Sequence, residues 1–326
     1  MTTLAIVGGS GAKGVVEALG LEAQVESVQV FNNGHASSIA SPSTPLAGPP
    51  SLGFKARVDY LHFYSGETEV YFVLRHGQNH DDLPAKLDQR GIIFFLKYKG
   101  VKDVILTSAT GSLDTTIPLV DHGGMVINSG TFRGFGYHGI SFNDPQNPHA
   151  VLAQPYDKQL RQLLLNSAHE VPRLRACDGG LYIQNEGNSF ESPAEIADLY
   201  CRLDAPAARV RDIELLLRLS KSSENAMVRS SLEQERDRYQ RLGKQLTVKY
   251  AQVSMNAVRE TILGLEKELR IALVSFPVNY GAGLVPDEQV DHDRTRHAIA
   301  HATGPYIVPF LRAVIENAPQ YLQQKA

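Results

Sequence analysis

The stretch Leu4-Ala5-Ile6-Val7-Gly8-Gly9-Ser10-Gly11 carries the pattern that decides the fold class. Its first four residues form a continuous apolar run, which predicts a strand buried on both faces, as in a mostly parallel sheet covered by helices. The glycines and the serine that follow offer backbone N–H groups and a hydroxyl to an anion, but a tight structural turn explains them equally well. Gly9, Gly11 and Gly14 have the spacing of the GxGxxG dinucleotide fingerprint. No acidic residue closes a βαβ unit about 20 residues further on, so dinucleotide binding is not predicted.

Other short apolar runs predict more strands of the same kind, with helical segments between them. The predicted strands lie at residues 70–74, 104–106, 125–127, 181–183 and 271–276. Segments with apolar residues at the helix period lie at 82–98, 256–269 and 295–321. Strands that alternate with helices predict an α/β fold.

Two more of these strands end in residues suited to holding an anion. Arg75 and His76 follow the strand at 70–74, and an arginine presents a planar fork of donors that matches phosphate oxygens. Small and hydroxyl residues follow the strand at 104–106, in Thr107-Ser108-Ala109-Thr110-Gly111-Ser112. Ligands bind at the carboxyl ends of strands in open α/β sheets, so three such ends together predict an anion site. For Arg75 taken alone, a surface ion pair is the alternative.

The composition is that of an ordinary globular protein and excludes several classes. The chain has 326 residues, of which 43% are hydrophobic and 21% charged, and its formal net charge is −3. No nucleic-acid partner is expected, because nucleic-acid binders show a basic surplus. Cys177 and Cys201 form neither a disulfide framework nor a CxxC zinc pair, so no metal is expected. The start lacks a signal peptide and no apolar stretch is long enough to span a bilayer, which predicts a cytoplasmic protein without a membrane partner.

Two regions differ from the rest of the chain. Residues 33–53 are rich in serine, proline and glycine and are predicted to be a loop. Residues 204–246 are strongly charged and helix-prone, with little to bury. An exposed helix with i,i+4 ion pairs explains the charged region, and a helical arm that contacts another subunit is the functional alternative.

An ordered series of motifs resembles the trimeric class of purine nucleoside phosphorylases and methylthioadenosine phosphorylases. The series covers most of the chain: residues 8–11, 75–77, 107–112, 186–191, 253–260 and 276–279. The resemblance implies a single-domain α/β nucleoside phosphorylase fold over residues 1–326, with a central mixed β-sheet flanked by helices and residues 204–246 as a helical insertion. It also implies a homotrimer, with purine nucleoside and inorganic phosphate as substrates and no cofactor.

The resemblance assigns residues to two halves of a site. It implies that phosphate is held by Ser10, Arg75, His76, Ser108, Ala109 (through its backbone N–H) and Asn256. It implies that the nucleoside is bound by Phe190, Glu191, Asn279, Met255 and His292. Phe190 would stack on the purine, Met255 would lie under the ribose and His292 would face the 5′-hydroxyl. Glu191, Asn279 and His76 are the predicted catalytic residues.

Glu191 and Asn279 together predict a 6-oxopurine such as hypoxanthine or guanine. A carboxylate accepts a hydrogen bond from N1–H, and an amide donates to O6 and adjusts to N7. Each candidate has a structural alternative. Glu191 is also suited to a helix N-terminus, Asn279 to a turn, Met255 to the core and His292 to a helix surface.

Two departures from the family pattern leave the function open between classes. Asn256 replaces a serine or threonine, and Arg259 replaces a proline. Phosphorolysis of a 6-oxopurine nucleoside is the first hypothesis, with a methylthio-substituted nucleoside as a variant substrate. Hydrolysis by a nucleosidase of the same fold is the second, and it requires a carboxylate that activates water. The third is a nucleoside-binding protein without turnover.

Overall fold

A computed structural model describes residues 1–9, 12–19, 24–32, 37–40, 55–79, 82–142, 147, 149–187, 189–219, 226–245, 249–288 and 290–322. The chain divides into two compact units. The first consists of Met1–Phe190 and Tyr250–Ala326, and the second of Glu191–Lys249.

The first unit is built on a mixed sheet that has ten strands within the described ranges. Their bounds are β1 Thr2–Gly8, β2 Glu26–Asn32, β3 Ser37–Ala40, β4 Lys55–Ser65, β5 Thr68–Leu74, β6 Asp103–Ser112, β7 Gly124–Arg133, β8 Arg175–Gln184, β9 Lys249–Ser254 and β10 Arg270–Tyr280. The order across the sheet is β10-β7-β8-β9-β6-β1-β5-β4-β2-β3. Because β10 also pairs with β6, the strands β6, β10, β7, β8 and β9 close into a ring.

The centre of the sheet has the parallel, doubly covered arrangement that the apolar runs predict. β1 pairs in parallel with β5 on one side and with β6 on the other, and β6 pairs in parallel with β10. Leu4 and Ile6 enter one hydrophobic core, whereas Ala5 and Val7 enter the other. All four side chains are fully buried. Since both faces are covered, no position of the run favours a polar residue.

Helices cover the two faces of this sheet. The helices of the chain are α1 Ala12–Leu19, α2 Gln89–Tyr98, α3 Lys158–His169, α4 Pro193–Leu219, α5 Ala226–Gln245, α6 Ala257–Glu266, α7 His292–Ala302 and α8 Val308–Leu322. Apolar residues of α1, α3, α7 and α8 fill one core, and those of α2 and α6 fill the other. The predicted α/β architecture of a mixed sheet flanked by helices is confirmed.

Two helix boundaries differ from the sequence prediction for local reasons. In place of a helix over 82–98, a 3-10 turn at Pro84–Lys86 precedes α2. The helix starts after Asp88, whose carboxylate caps it by accepting a hydrogen bond from the Arg90 backbone N–H at 3.1 Å. The predicted helix at 295–321 starts earlier, at His292, and is interrupted by a π-helical turn at Thr303–Ile307. Pro305 lies in this turn and has no N–H for the regular helix bond.

The antiparallel edge of the sheet is the part that the sequence analysis missed. β4 pairs antiparallel with β5 and with β2, and β2 pairs antiparallel with β3. β3 falls inside the region 33–53 that was predicted to be a loop. In β4, polar residues such as Arg57 and His62 separate the apolar ones, so a search for continuous apolar runs does not detect this strand.

One helical run has the length and composition of a membrane span, contrary to the expectation from sequence. It is His292–Leu322, with a mean hydropathy of 1.2 in its apolar window, of which 56% is buried. Its buried residues, among them Phe310, Leu311 and Val314, belong to the core on one face of the sheet. The run therefore has the burial of a core helix.

The second unit is a pair of helices, α4 and α5, and includes the charged segment predicted at 204–246. Ser192 and Glu195 form a capping box at the start of α4. The Ser192 backbone N–H donates to Glu195 Oε2 at 2.8 Å, and the Glu195 N–H donates to Ser192 Oγ at 3.3 Å. An ion pair of 3.1 Å between Arg209 and Glu235 joins the two helices. The pairs Asp198–Arg202 and Arg229–Glu233 have the expected i,i+4 spacing.

The cap of α3 provides a test of the fold. Asp157 Oδ1 accepts hydrogen bonds from the backbone N–H groups of Gln159 at 2.9 Å and Leu160 at 3.0 Å. We expect Asp157→Ala to lower the free energy of unfolding by about 1 kcal/mol, measured by urea denaturation. Asp157→Ser, which keeps a capping oxygen, is expected to retain most of the stability; equal losses in both variants would contradict the capping role.

Candidate active site

The candidate site lies at the carboxyl ends of the parallel strands β1, β5, β6 and β10. Gly8 and Gly9 end β1, Arg75 and His76 follow β5, and Ser108 lies in β6 opposite Ser275 of β10. Arg75, His76, Ser108 and Asn256 are all at most 6% exposed. The structure thus gathers at one sheet edge the donors that are dispersed in the sequence. Ser10, the remaining serine predicted to bind phosphate, lies outside the described residues.

Arg75 is held by a buried, bidentate ion pair with Glu260 of α6. Its Nε lies 2.5 Å from Glu260 Oε1 and its Nη2 lies 2.6 Å from Oε2, while Nη1 donates to the Thr107 carbonyl at 2.9 Å. Burial alone would lower the pKa of Arg75, but the charge and hydrogen bonds of Glu260 outweigh burial and raise it. The guanidinium therefore stays charged. These contacts use three of its five N–H groups, and the surface ion pair considered as an alternative is in fact a buried one.

Gly9 has to be a glycine because Arg75 lies against it. A Cβ atom on Gly9 would be 2.7 Å from Arg75 Nη1, which is closer than real Cβ atoms approach other atoms. The glycine turn after β1 and the guanidinium are therefore packed together, and the turn brings its backbone to the cation.

His76 is fixed in one tautomer by its neighbours. Its Nδ1 lies 2.7 Å from the Asp82 backbone carbonyl, which only accepts hydrogen bonds, so Nδ1 carries the proton. Its Nε2 lies 3.4 Å from Asn256 Nδ2, and in the neutral ring it accepts from this amide. Asn256 Oδ1 is buried and has no hydrogen-bond partner among the described residues. Asn256 and His76 thus form one unit, in which an amide oxygen remains for a ligand that donates.

Ser108 belongs to a cluster of three hydroxyl groups. Ser108 Oγ lies 3.0 Å from the Tyr182 hydroxyl and 3.2 Å from Ser254 Oγ. Ser254 also donates to the Ala109 carbonyl at 2.9 Å, which connects the end of β9 to β6. Tyr182 and Ser254 were not among the predicted site residues. The only signal for Ser254 is its place before Met255, and Tyr182 is hidden in an apolar strand.

On the nucleoside side, Asn279 and Met255 are positioned by β10 and by the end of β9. Asn279 is 3% exposed and follows a register shift of β10 against β6 after Pro277. Its Nδ2 donates to the Tyr280 carbonyl at 2.7 Å. Met255 packs against Gly187 so closely that a Cβ atom there would lie 2.3 Å from its sulfur. Asn279 therefore has a fixed amide, and Met255 ties the strand to the segment before Phe190.

Phe190 and His292 meet beside an open cleft. Phe190 is 38% exposed, and its ring meets the His292 ring edge-to-face, with centroids 6.4 Å apart. The cleft has a volume of about 660 Å³, and its lining includes Gly9, His76 and His292. The cleft therefore extends from Gly9 and His76 at the strand ends to His292.

Glu191 is the first residue of the helical unit, whereas the other described candidates belong to the first unit. The helix N-terminal role considered for Glu191 is filled by Glu195. Hydrogen bonds from the backbone and side chain of Ser192 lower the pKa of Glu195. The base-reading role of Glu191 stays a prediction. Within the described part of the chain, no group of three or more His, Cys, Asp or Glu side chains has an arrangement that would hold a metal ion.

Comparison with known proteins gives consistent results. A family model described as "Phosphorylase superfamily" matches residues 48–208. The chain is 30% identical over 131 residues to a probable S-methyl-5′-thioinosine phosphorylase of Methanopyrus kandleri, covering 40% of this chain and 50% of that protein. It is 30% identical over 203 residues to a probable 6-oxopurine nucleoside phosphorylase of Moorella thermoacetica, covering 59% and 64%.

A solved structure matches over nearly the whole chain. It is the methylthioadenosine phosphorylase from Schistosoma mansoni in complex with adenine, with a TM-score of 0.63, 15% identity and coverage of 97% of this chain and 91% of that one. The curated relatives are matched over about half of their length, 50%, 42% and 47% for three of them.

Over residues 48–208 the chain is similar to the phosphorylase superfamily. Its architecture is the nucleoside phosphorylase fold of the solved structures that it resembles.

The Arg75–Glu260 ion pair can be tested apart from activity. We expect Glu260→Gln to lower the free energy of unfolding by about 3 kcal/mol, because it leaves a buried guanidinium without a counter-charge. The double variant Arg75→Met/Glu260→Met removes both charges. Its free energy of unfolding is expected to fall by less than that of Glu260→Gln. The measurement is chemical denaturation of the three proteins. A double variant less stable than Glu260→Gln would contradict this account of the pair.

Proposed function

We propose that this protein catalyses phosphorolysis of the N-glycosidic bond of a 6-oxopurine nucleoside, which yields the free base and ribose 1-phosphate. The observation that carries the proposal is the buried polar set Arg75, His76, Ser108 and Asn256 at one sheet edge. The match to the phosphorylase superfamily over residues 48–208 and the names of the relatives support it. The proposal needs inorganic phosphate as co-substrate and no cofactor. We also propose a cytoplasmic homotrimer, as the resemblance implies.

In the phosphate half, Arg75 supplies a permanent charge that Glu260 keeps in one orientation. Ser108, the Ala109 backbone N–H and Ser10 complete the donors to phosphate. His76 orients Asn256, whose Oδ1 accepts a hydrogen bond from a protonated oxygen of the phosphate. Charge-assisted hydrogen bonds of this kind are the strongest that a protein offers an anion. A phosphate oxygen attacks C1′ while the bond from C1′ to the base breaks, and the electron pair leaves with the base. The bound anion stabilises the positive charge that develops on the sugar.

In the nucleoside half, Phe190 stacks on the purine and Met255 lies under the ribose. Asn279 donates a hydrogen bond to the base and stabilises the negative charge that develops at N7. Glu191 accepts a hydrogen bond from N1–H of the base. An adenine has no proton at N1, so an ionised Glu191 would meet an acceptor there. Glu191 and Asn279 therefore favour 6-oxopurines. Two relatives have thioinosine and 6-oxopurine names, whereas another relative and the solved structure have methylthioadenosine names.

The 5′ end of the nucleoside is placed beside His292 in the cleft. An imidazole donates to or accepts from a 5′-hydroxyl, whereas a thioether gains nothing from it. Leu74, Ile299 and Ala300 line the same cleft, so an apolar 5′ substituent also has surface to contact. We propose a 5′-hydroxyl substrate, with the methylthio nucleoside as the comparison compound.

Hydrolysis is the less favoured reaction because the acidic groups nearest the donors are already occupied. Both oxygens of Glu260 bind Arg75, and Glu186 forms an ion pair with Arg259. A carboxylate held in this way is a poor base for activating water. Phosphate as the nucleophile needs no such base.

The decisive measurement is release of hypoxanthine from inosine by the purified protein, with and without phosphate. We expect release only with phosphate. Release in both conditions identifies a nucleosidase. Release in neither, with guanosine and 5′-methylthioinosine also inert, identifies a binding protein without turnover.

The base preference is tested at Asn279. We expect Asn279→Asp to lower kcat/KM for inosine relative to adenosine by at least about tenfold, because a carboxylate accepts from a 6-amino group but repels O6. The ratio of the two kcat/KM values is the measurement. Asn279→Ser is the control, since it removes the amide without adding charge. A ratio unchanged by Asn279→Asp would contradict the role of this residue.

A further inference from the structure

Arg259, which departs from the family pattern, is a buried cation with a defined set of contacts. It is 5% exposed and lies in the first turn of α6. Its Nη2 forms an ion pair with Glu186 Oε2. Its Nε donates to the His138 carbonyl at 2.9 Å, and its guanidinium lies 5.6 Å from the centre of the Tyr137 ring. A buried cation with an ion pair, a carbonyl acceptor and an aromatic face is fully compensated.

Glu186, the partner of Arg259, belongs to a segment tied to the chain on several sides. Its backbone N–H donates to the Phe135 carbonyl at 2.8 Å, and its Oε2 accepts from the His138 N–H at 3.4 Å. The neighbouring Asn185 accepts from the Phe135 N–H at 2.8 Å and donates to the Ser254 carbonyl at 2.9 Å. Residues 184–187 are therefore held to residues 134–138, to the end of β9 and to α6.

This tied segment leads into the nucleoside half of the site. Gly187 packs against Met255, and Phe190 follows three residues later. Next to Arg259 along α6 is Glu260, which holds Arg75 of the phosphate half. Two consecutive residues of one helix turn thus hold opposite halves of the site.

We propose that Arg259 and Glu186 are positioning residues for the nucleoside half of the site. This inference rests on the proposed function. Their ion pair holds residues 184–187 in place. It thereby holds the position of Met255, which packs against Gly187, and of the chain that leads to Phe190. A buried ion pair adds little net stability relative to apolar side chains of similar volume, so stabilisation alone does not account for this one, and a positioning role is tested below. Glu260 orients Arg75 separately, so removal of the Arg259–Glu186 pair is expected to affect phosphate binding less than nucleoside binding.

The test is the double variant Arg259→Met/Glu186→Gln, which removes both charges and leaves neither buried alone. We expect the KM for inosine to rise about tenfold or more, as for other displacements of binding groups. The Kd for hypoxanthine is expected to rise in parallel, while the KM for phosphate changes less than about twofold. If the double variant does not fold, Arg259→Lys, which keeps a cation beside Glu186 but loses the planar fork of donors, is expected to show a smaller change in the same direction.

The matched control is Arg270→Met/Asp103→Asn. This pair is also partly buried, with 2.6 Å between Arg270 Nε and Asp103 Oδ1, and lies at the amino ends of β10 and β6, away from the site. The control is expected to lower thermal stability without changing either KM. Unchanged values for inosine in the test variant, or equal rises for inosine and phosphate, would overturn the inference. If the wild-type protein releases no base, the proposed function itself is wrong. If the wild type is active and the variant is unaffected, only the inference about Arg259 and Glu186 is wrong.

Discussion

The buried ion pair between Arg75 and Glu260 is the interaction on which the rest of the site depends. It joins the end of a central strand to a helix on one face of the sheet, and it gives a buried guanidinium, whose pKa burial alone would lower, a counter-charge and a fixed orientation. A guanidinium in such a position requires a carboxylate, a close-packed glycine and a carbonyl acceptor, and each is present in Glu260, Gly9 and Thr107. The positions of these residues follow from one requirement, which is to keep a single cation buried and oriented.

Much of the fold is predictable because strands buried on both faces have a simple sequence pattern. Leu4 to Val7 read as a continuous apolar run since their side chains enter two cores in turn. The antiparallel edge is different, because in β4 the polar residues Arg57 and His62 interrupt the apolar ones. The π turn was also missed, since its cause is a proline at one position in an otherwise regular apolar helix.

The sequence predicts those site residues whose side-chain type and local motif indicate a function. It predicts less well the residues that contribute by contacting another site residue. Arg75 and His76 stand out because a strand that ends in cationic donors is unusual. Tyr182 and Ser254 do not stand out, because their hydroxyl groups reach Ser108 only after three strands have been brought together. Arg259 was noticed as a departure, but its partner Glu186 is 73 residues away in the sequence, and no local pattern connects the two.

The first turn of α6 has a consequence for how two ligands influence one another. Arg259 and Glu260 are successive residues, and they bind Glu186 beside the nucleoside half and Arg75 in the phosphate half of the proposed site. A ligand that displaces this turn while binding on one side changes the affinity on the other. Thermodynamic linkage requires the two changes to be reciprocal and equal in factor. Heterotropic cooperativity between the two substrates of such a site would then require no domain motion, only a small shift of a single helical turn.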